Sequence, residues 1–265
     1  MDEHQEDLIH QIKTFLETEE EIFGPLAISG EDMKAAESQM LASTENQEKR
    51  TDQQKSDPTA DDEADIKQKT NSGISLQTCK NLDELKQLCE TADVLRTDLQ
   101  GTNLVFGTGN PTADLMLIGE APGEQEDKQG EPFVGAAGQL LNKILGAINF
   151  SREDVYIANI LKHRPPGNRN PNEEECRNSL PYLYKQIELV NPKLILCLGK
   201  ISGTTLLGKD TTLKSMRGIF YPFKGAELAV TYHPAALLRN QQWKRPVWED
   251  VQRVRKRYDE LGCKP

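Results

Sequence analysis

Apolar positions along this chain fall into three textures. In residues 5 to 23, Leu8, Ile9, Ile12, Phe15, Leu16 and Ile22 recur at near-helical spacing among glutamates, which predicts an amphipathic helix. From about 30 to 73 the chain carries almost no aliphatic residue, as in STENQEKRTDQQKSDPTADDEADIKQKTNSG. Such a segment cannot bury enough surface to offset chain entropy, so it is expected to be a disordered linker. The predicted organisation is a helix over 1–24, an acidic linker over 25–75 and a folded domain over 76–265.

The third texture begins near residue 74. NLDELKQLCETADVL reads as a helix that starts at Asn81 or Leu82. Short apolar runs follow and predict buried strands: NLVFG (103–107), DLMLIGE (114–120), DVYIANILK (154–162), KLILCLG (193–199) and ELAVTYHP (227–234). Helical patterns separate them at 136–148, 173–190, 201–208 and 248–262. Apolar strands alternating with helices predict the α/β class, as three αβα layers around a mostly parallel sheet of four to five strands. Pro234, next to His233, suggests that the last strand ends in a loop.

Charge changes this picture in one respect. Residues 1 to 72 hold 19 of the 42 acidic and 7 of the 32 basic residues, so the remainder has 23 acids against 25 bases. The formal charge of −10 belongs to the N-terminal segment and does not argue against a nucleic-acid partner for the domain. No run of eighteen apolar residues is present, and MDEHQEDLIHQ lacks the basic and apolar regions of a signal peptide. Five scattered cysteines without a CxxC fit an intracellular, cytoplasmic protein without a disulfide framework.

In such sheets ligands lie beyond the carboxyl ends of the strands. GEAPGEQED, from Gly119 to Asp127, is a tight turn too acidic to cradle a polyphosphate and matches no phosphate loop. Phe133 lies in the loop of EPFVGAAGQLL, as a site aromatic or as core packing; Asn159 follows the apolar Tyr-Ile-Ala of the third run, and His233 ends the last strand. Together these strand ends offer a carboxylate, an aromatic ring, an amide and an imidazole, a set suited to a flat polar heterocycle.

GEAPGEQED, EPFVGAAGQLLNKIL, NILKHRPPGNRNP, PKLILCLG and HPAALLRN, in that order, resemble the family-4 uracil-DNA glycosylases over residues 100 to 262. The resemblance implies that fold, and a monofunctional enzyme of base-excision repair that flips uracil from DNA and hydrolyses its glycosidic bond. By the same resemblance His233 stabilises the departing uracil and Glu120 positions or activates water. Gly119, Ala121, Phe133 and Asn159 line the uracil pocket, and Glu126 stands as a guard against a 5-methyl group. Leu237 or Leu238 supplies a wedge between base steps, with Arg239 and Arg169 on the DNA. Both leucines could instead cap the core. Arg164, Lys214 and Arg217 also flank these loops, as phosphate contacts or as ordinary solvated charges.

The family usually carries a 4Fe-4S cluster on four cysteines. At the corresponding offsets this chain has Ala92, Leu95 and His163, and only Cys176 remains. No cluster is therefore expected, the alternative being a rearranged set of Cys79, Cys89, His163 and Cys176. Packing by Leu95 and its neighbours is expected to brace the loop after Asn159 instead. A related branch traps the sugar on a histidine carried by an inserted basic loop, but PPGNRNPNEEEC has the ordinary length, so His163 is not given that role. The competing reading is a catalytically weakened uracil- or DNA-binding module of the same fold. A monomer bound to single- or double-stranded uracil-containing DNA is expected, with the N-terminal helix free to take a protein partner.

Overall fold

The computed structural model describes residues 75–264, so the predicted N-terminal helix and nearly all of the acidic linker lie outside the described residues. Six strands follow in chain order: β1 (Thr108–Gly109), β2 (Leu115–Gly119), β3 (Tyr156–Asn159), β4 (Leu194–Leu198), β5 (Tyr221–Phe223) and β6 (Ala226–Thr231). They form one sheet in the order β1-β3-β2-β4-β6-β5. The inner strands β3, β2, β4 and β6 are parallel, while β1 and β5 pair antiparallel at the two edges. The α/β class and the parallel centre are as expected, and the two short edge strands are additions.

Alternate residues of each inner strand feed opposite layers, because successive Cβ atoms point to opposite faces. Leu115, Leu117, Leu194, Leu196 and Leu198 meet helix α3 (Ala136–Ala147) and helix α8 (Lys244–Glu260) on one side. Met116, Ile118, Ile195 and Cys197 meet α4 (Glu173–Val190), α5 (Lys200–Leu207) and α6 (Leu213–Met216) on the other. Burial on both faces explains why the inner strands read as unbroken apolar runs. Helix α1 (Leu82–Thr91) is capped by the Asn81 side chain and lays Leu85, Leu88 and Cys89 against Tyr182 of α4.

Three local expectations are corrected. NLVFG is not a ladder strand: the Phe106 carbonyl accepts from the Gln186 and Lys162 side chains, and strand pairing begins only at Thr108. The EQED turn winds into a short helix, α2 (Glu124–Gln129). HPAALLRN is a helix rather than a loop, α7 (Pro234–Arg239), with His233 as its N-cap. Proline at the first helical position has no N–H to lose and a φ already set for the helix, so Pro234 starts this element.

Candidate active site

Register places the first two site residues. Gly119 and Asn159 are paired across β2 and β3 at the ends of both strands. The Phe133 ring closes over them: a Cβ at Gly119 would stand 2.6 Å from Phe133 Cζ and collide with Asn159 Oδ1. Only glycine leaves room for the ring and the amide to converge. The Asn159 side chain is buried, and its Oδ1 has no hydrogen-bond partner among the described residues. A buried amide oxygen without a donor is costly, and a ligand N–H is one way to satisfy it.

Phe133 takes φ 54°, a left-handed conformation that a bulky residue adopts only when its surroundings impose it. Arg152 supplies that constraint. Its guanidinium donates to the carbonyls of Pro132 at 2.8 Å and Phe133 at 3.0 Å, and to Asn142 Oδ1 at 3.2 Å. Nothing in the SREDV stretch distinguishes Arg152 from a surface cation, and the sequence reading missed it.

His233 stacks on Phe133, with ring centroids 5.4 Å apart and planes inclined by 29°. Its Nδ1 accepts the Ala235 N–H at 3.2 Å, which leaves the proton of the neutral ring on Nε2. Although the residue keeps some exposed surface, burial of the ring lowers its pKa to about 4; the Arg239 charge adds to the shift and Glu126 opposes it. At neutral pH the ring is an uncharged N–H donor. Gly199, at the start of α5, makes space for it, since a Cβ there would lie 3.2 Å from that of His233. Two residues earlier Thr231 donates to Asp250 Oδ2 at 2.7 Å, and Arg217 donates to the same oxygen at 2.6 Å. This buried network holds the end of β6, and Asp250 is a second contributor that local sequence did not reveal.

The carboxylates divide. Burial raises the pKa of Glu120. Glu126 instead accepts the N–H groups of Val134 at 3.0 Å and Gly135 at 2.9 Å, fixing the loop that carries Phe133 into α3. Ala121 lies partly buried just past Gly119, against the second core layer.

Of the residues assigned to DNA, Leu237 is 1% exposed and packed in the core beside α3 and α8, which corrects its candidacy as a wedge. Leu238 is 52% exposed and Arg239 is exposed beside it. Arg169 grips Glu175 through two 2.8 Å hydrogen bonds and also reaches Asp98, so it ties the start of α4 to the 96–99 segment. Arg164 holds Asn168 Oδ1 at 2.7 Å, and Arg217 is committed to Asp250. Lys214 is exposed.

Ala92 and Leu95 are buried in an apolar cluster with Cys79, Leu85, Leu88, Cys89, Phe106 and Tyr182. Burial pushes the Cys89 thiol up to about 12, and His163 Nδ1 lies 3.1 Å from the Thr102 hydroxyl. Cys176 sits apart, packed against the second core layer, and burial raises its pKa too. Among the described residues no three His, Cys, Asp or Glu side chains are gathered as metal ligands. These positions do not fit four thiolates around a 4Fe-4S cluster.

The chain matches the family described as the uracil DNA glycosylase superfamily over residues 106–252. A Type-4 uracil-DNA glycosylase of Archaeoglobus fulgidus is 40% identical over 174 residues, 63% of this chain and 86% of that protein. One from Saccharolobus solfataricus is 44% identical over 173 residues, 62% of this chain and 78% of that protein. One from Thermotoga maritima is 41% identical over 161 residues, 59% of this chain and 84% of that protein.

Proposed function

Because the chain belongs to the uracil DNA glycosylase superfamily, we propose that it removes uracil from DNA by hydrolysing the N-glycosidic bond. The product is an abasic site for base-excision repair. The observation that carries this reading is the unpartnered Asn159 Oδ1, buried under the Phe133 ring. Uracil N3–H supplies the donor this oxygen lacks, while the amide NH₂ meets uracil O4. Cytosine, with donor and acceptor exchanged, leaves both unsatisfied.

The base leaves the stack, Leu238 fills the gap it vacates, and Arg239 takes backbone phosphate. Phe133 stacks on the extruded ring. The N1–C1′ bond breaks with its electron pair passing to uracil, where charge gathers on O2, and the sugar gains oxocarbenium character. Neutral His233 donates Nε2–H to that oxygen, a fixed dipole aimed at developing charge. Water adds to C1′, positioned by Glu120, which takes its proton. Beyond Asn159 the chain is held by burial of Ile160 and Leu161 in the second core layer and by the buried Lys162, whose Nζ donates to the Asn159 carbonyl. The presence of the amide, the ring and the imidazole favours this reading over that of a non-cutting module.

The test is excision from a labelled oligonucleotide carrying one uracil, followed by alkali to cut abasic sites, with His233→Ala alongside. Cleavage by the wild type and a loss of about a hundredfold or more in the variant are expected. An uncut strand from the wild type refutes the proposal.

A further inference from the structure

Strand β3 ends at Asn159, where ladder pairing stops, yet much of the backbone beyond it is hydrogen-bonded to other segments. The Ile160 and Leu161 N–H groups donate to the carbonyls of Gly119 and Glu120, both at 3.0 Å. The Ser179 hydroxyl donates to the Ile160 carbonyl at 2.6 Å, and the Val105 N–H to that of Lys162 at 2.8 Å. The Asn159 carbonyl is served by a side chain: Lys162 Nζ donates to it at 3.0 Å.

That ammonium is completely buried. Its other acceptors are Gln186 Oε1 at 2.5 Å and the Phe106 carbonyl at 3.4 Å, so three N–H donors meet three acceptors. Among the described residues no carboxylate faces it. The neighbouring titratable groups are the Cys89 thiol, neutral at ordinary pH, and the Tyr156 hydroxyl, which shares Gln186 with it. A buried cation without a counter-ion is costly. Filling space at this position would require only methionine, so the ammonium is there for the direction of its bonds.

We propose that Lys162 is a positioning residue for base recognition. It anchors the Asn159 peptide at the strand end and thereby aims the Asn159 amide, including the unpartnered Oδ1, into the site. The inference rests on the glycosylase reading above, because it assigns Lys162 a share in the uracil contact. Gln186 is the other half of the device. It accepts from Lys162 and donates to the Phe106 carbonyl at 3.0 Å, tying α4 and the 103–107 segment to the same point.

A double-mutant cycle tests it. Single-turnover excision from a uracil oligonucleotide is measured for wild type, Asn159→Ala, Lys162→Met and the double variant, with binding to a uracil-free oligonucleotide measured in parallel. A displaced recognition group costs about a hundredfold, so Lys162→Met should slow excision by about that factor while uracil-free binding stays within about twofold. In the Asn159→Ala background the same change should cost less than about threefold further, since there is no amide left to aim. Losses that multiply, or a Lys162→Met rate within about threefold of wild type, overturn the inference and leave the glycosylase reading intact. A wild type that does not excise uracil refutes that reading, and the inference with it. Should Lys162→Met fail to fold, Gln186→Leu withdraws one acceptor and carries the same cycle, with about a tenfold effect expected.

Discussion

Replacing His233 by asparagine separates two tasks of the imidazole. Asparagine is a good N-cap and can keep the acceptor that the Ala235 N–H uses, but it does not titrate and is too short to reach the base. In the wild type the folded pKa is about 4 against an ordinary 6.5, lowered first by burial and then by Arg239. Above pH 6.5 the ring is neutral in folded and unfolded chains alike, and its contribution to stability is complete. Below that pH the unfolded chain takes up a proton that the folded chain refuses. Stability then falls by about 1.4 kcal/mol per pH unit until the folded pKa is reached, below which there is no further loss. Between pH 7.5 and 4.5 two units of that window are crossed, or about 2.7 kcal/mol, reduced to about 2 because the residue is partly open to solvent. Urea unfolding of wild type and His233→Asn at the two pH values reads the effect directly, since the remaining groups titrate in both proteins. The wild type should lose about 2 kcal/mol more than the variant. Losses equal within about 0.5 kcal/mol would falsify the picture of a desolvated, Nε2-protonated ring.

Gly119→Ala should abolish excision by about a hundredfold or more, because its Cβ meets Phe133 and Asn159, while anisotropy with uracil-free DNA stays unchanged. Leu237→Ala should lower unfolding free energy by about 2–5 kcal/mol in urea, as a core truncation. Leu238→Ala should leave stability within about 0.5 kcal/mol yet slow excision from duplex more than from single-stranded DNA. Arg152→Ala releases the Pro132 and Phe133 carbonyls, and single-turnover kinetics should show about a tenfold slower rate; an unchanged rate would mean that Phe133 holds its strained conformation unaided.

The layers follow from the hydrophobic pattern alone. Strands buried on both faces must be apolar throughout, and helices covering a sheet must alternate with them, so β2, β4, β6, α3 and α4 were legible within a few residues. Asn159 and His233 stand out as candidates because a parallel sheet puts its strand ends at one edge, whereas Gly119 enters only through the family resemblance. Tertiary structure decided what depends on contacts between distant segments. Leu237 and Leu238 are adjacent and chemically alike, and only packing against α3 and α8 sends one into the core and leaves the other in solvent. Arg169 and Arg217 look like free cations until Glu175 and Asp250 arrive beside them. The edge strand β5 has three residues with Pro222 at its centre, too little pattern to register before β6 pairs with it. Lys162, the one charge in the apolar run YIANILK, was visible as a letter. Its role depends on Phe106 and Gln186, 56 and 24 residues away, which no local pattern connects.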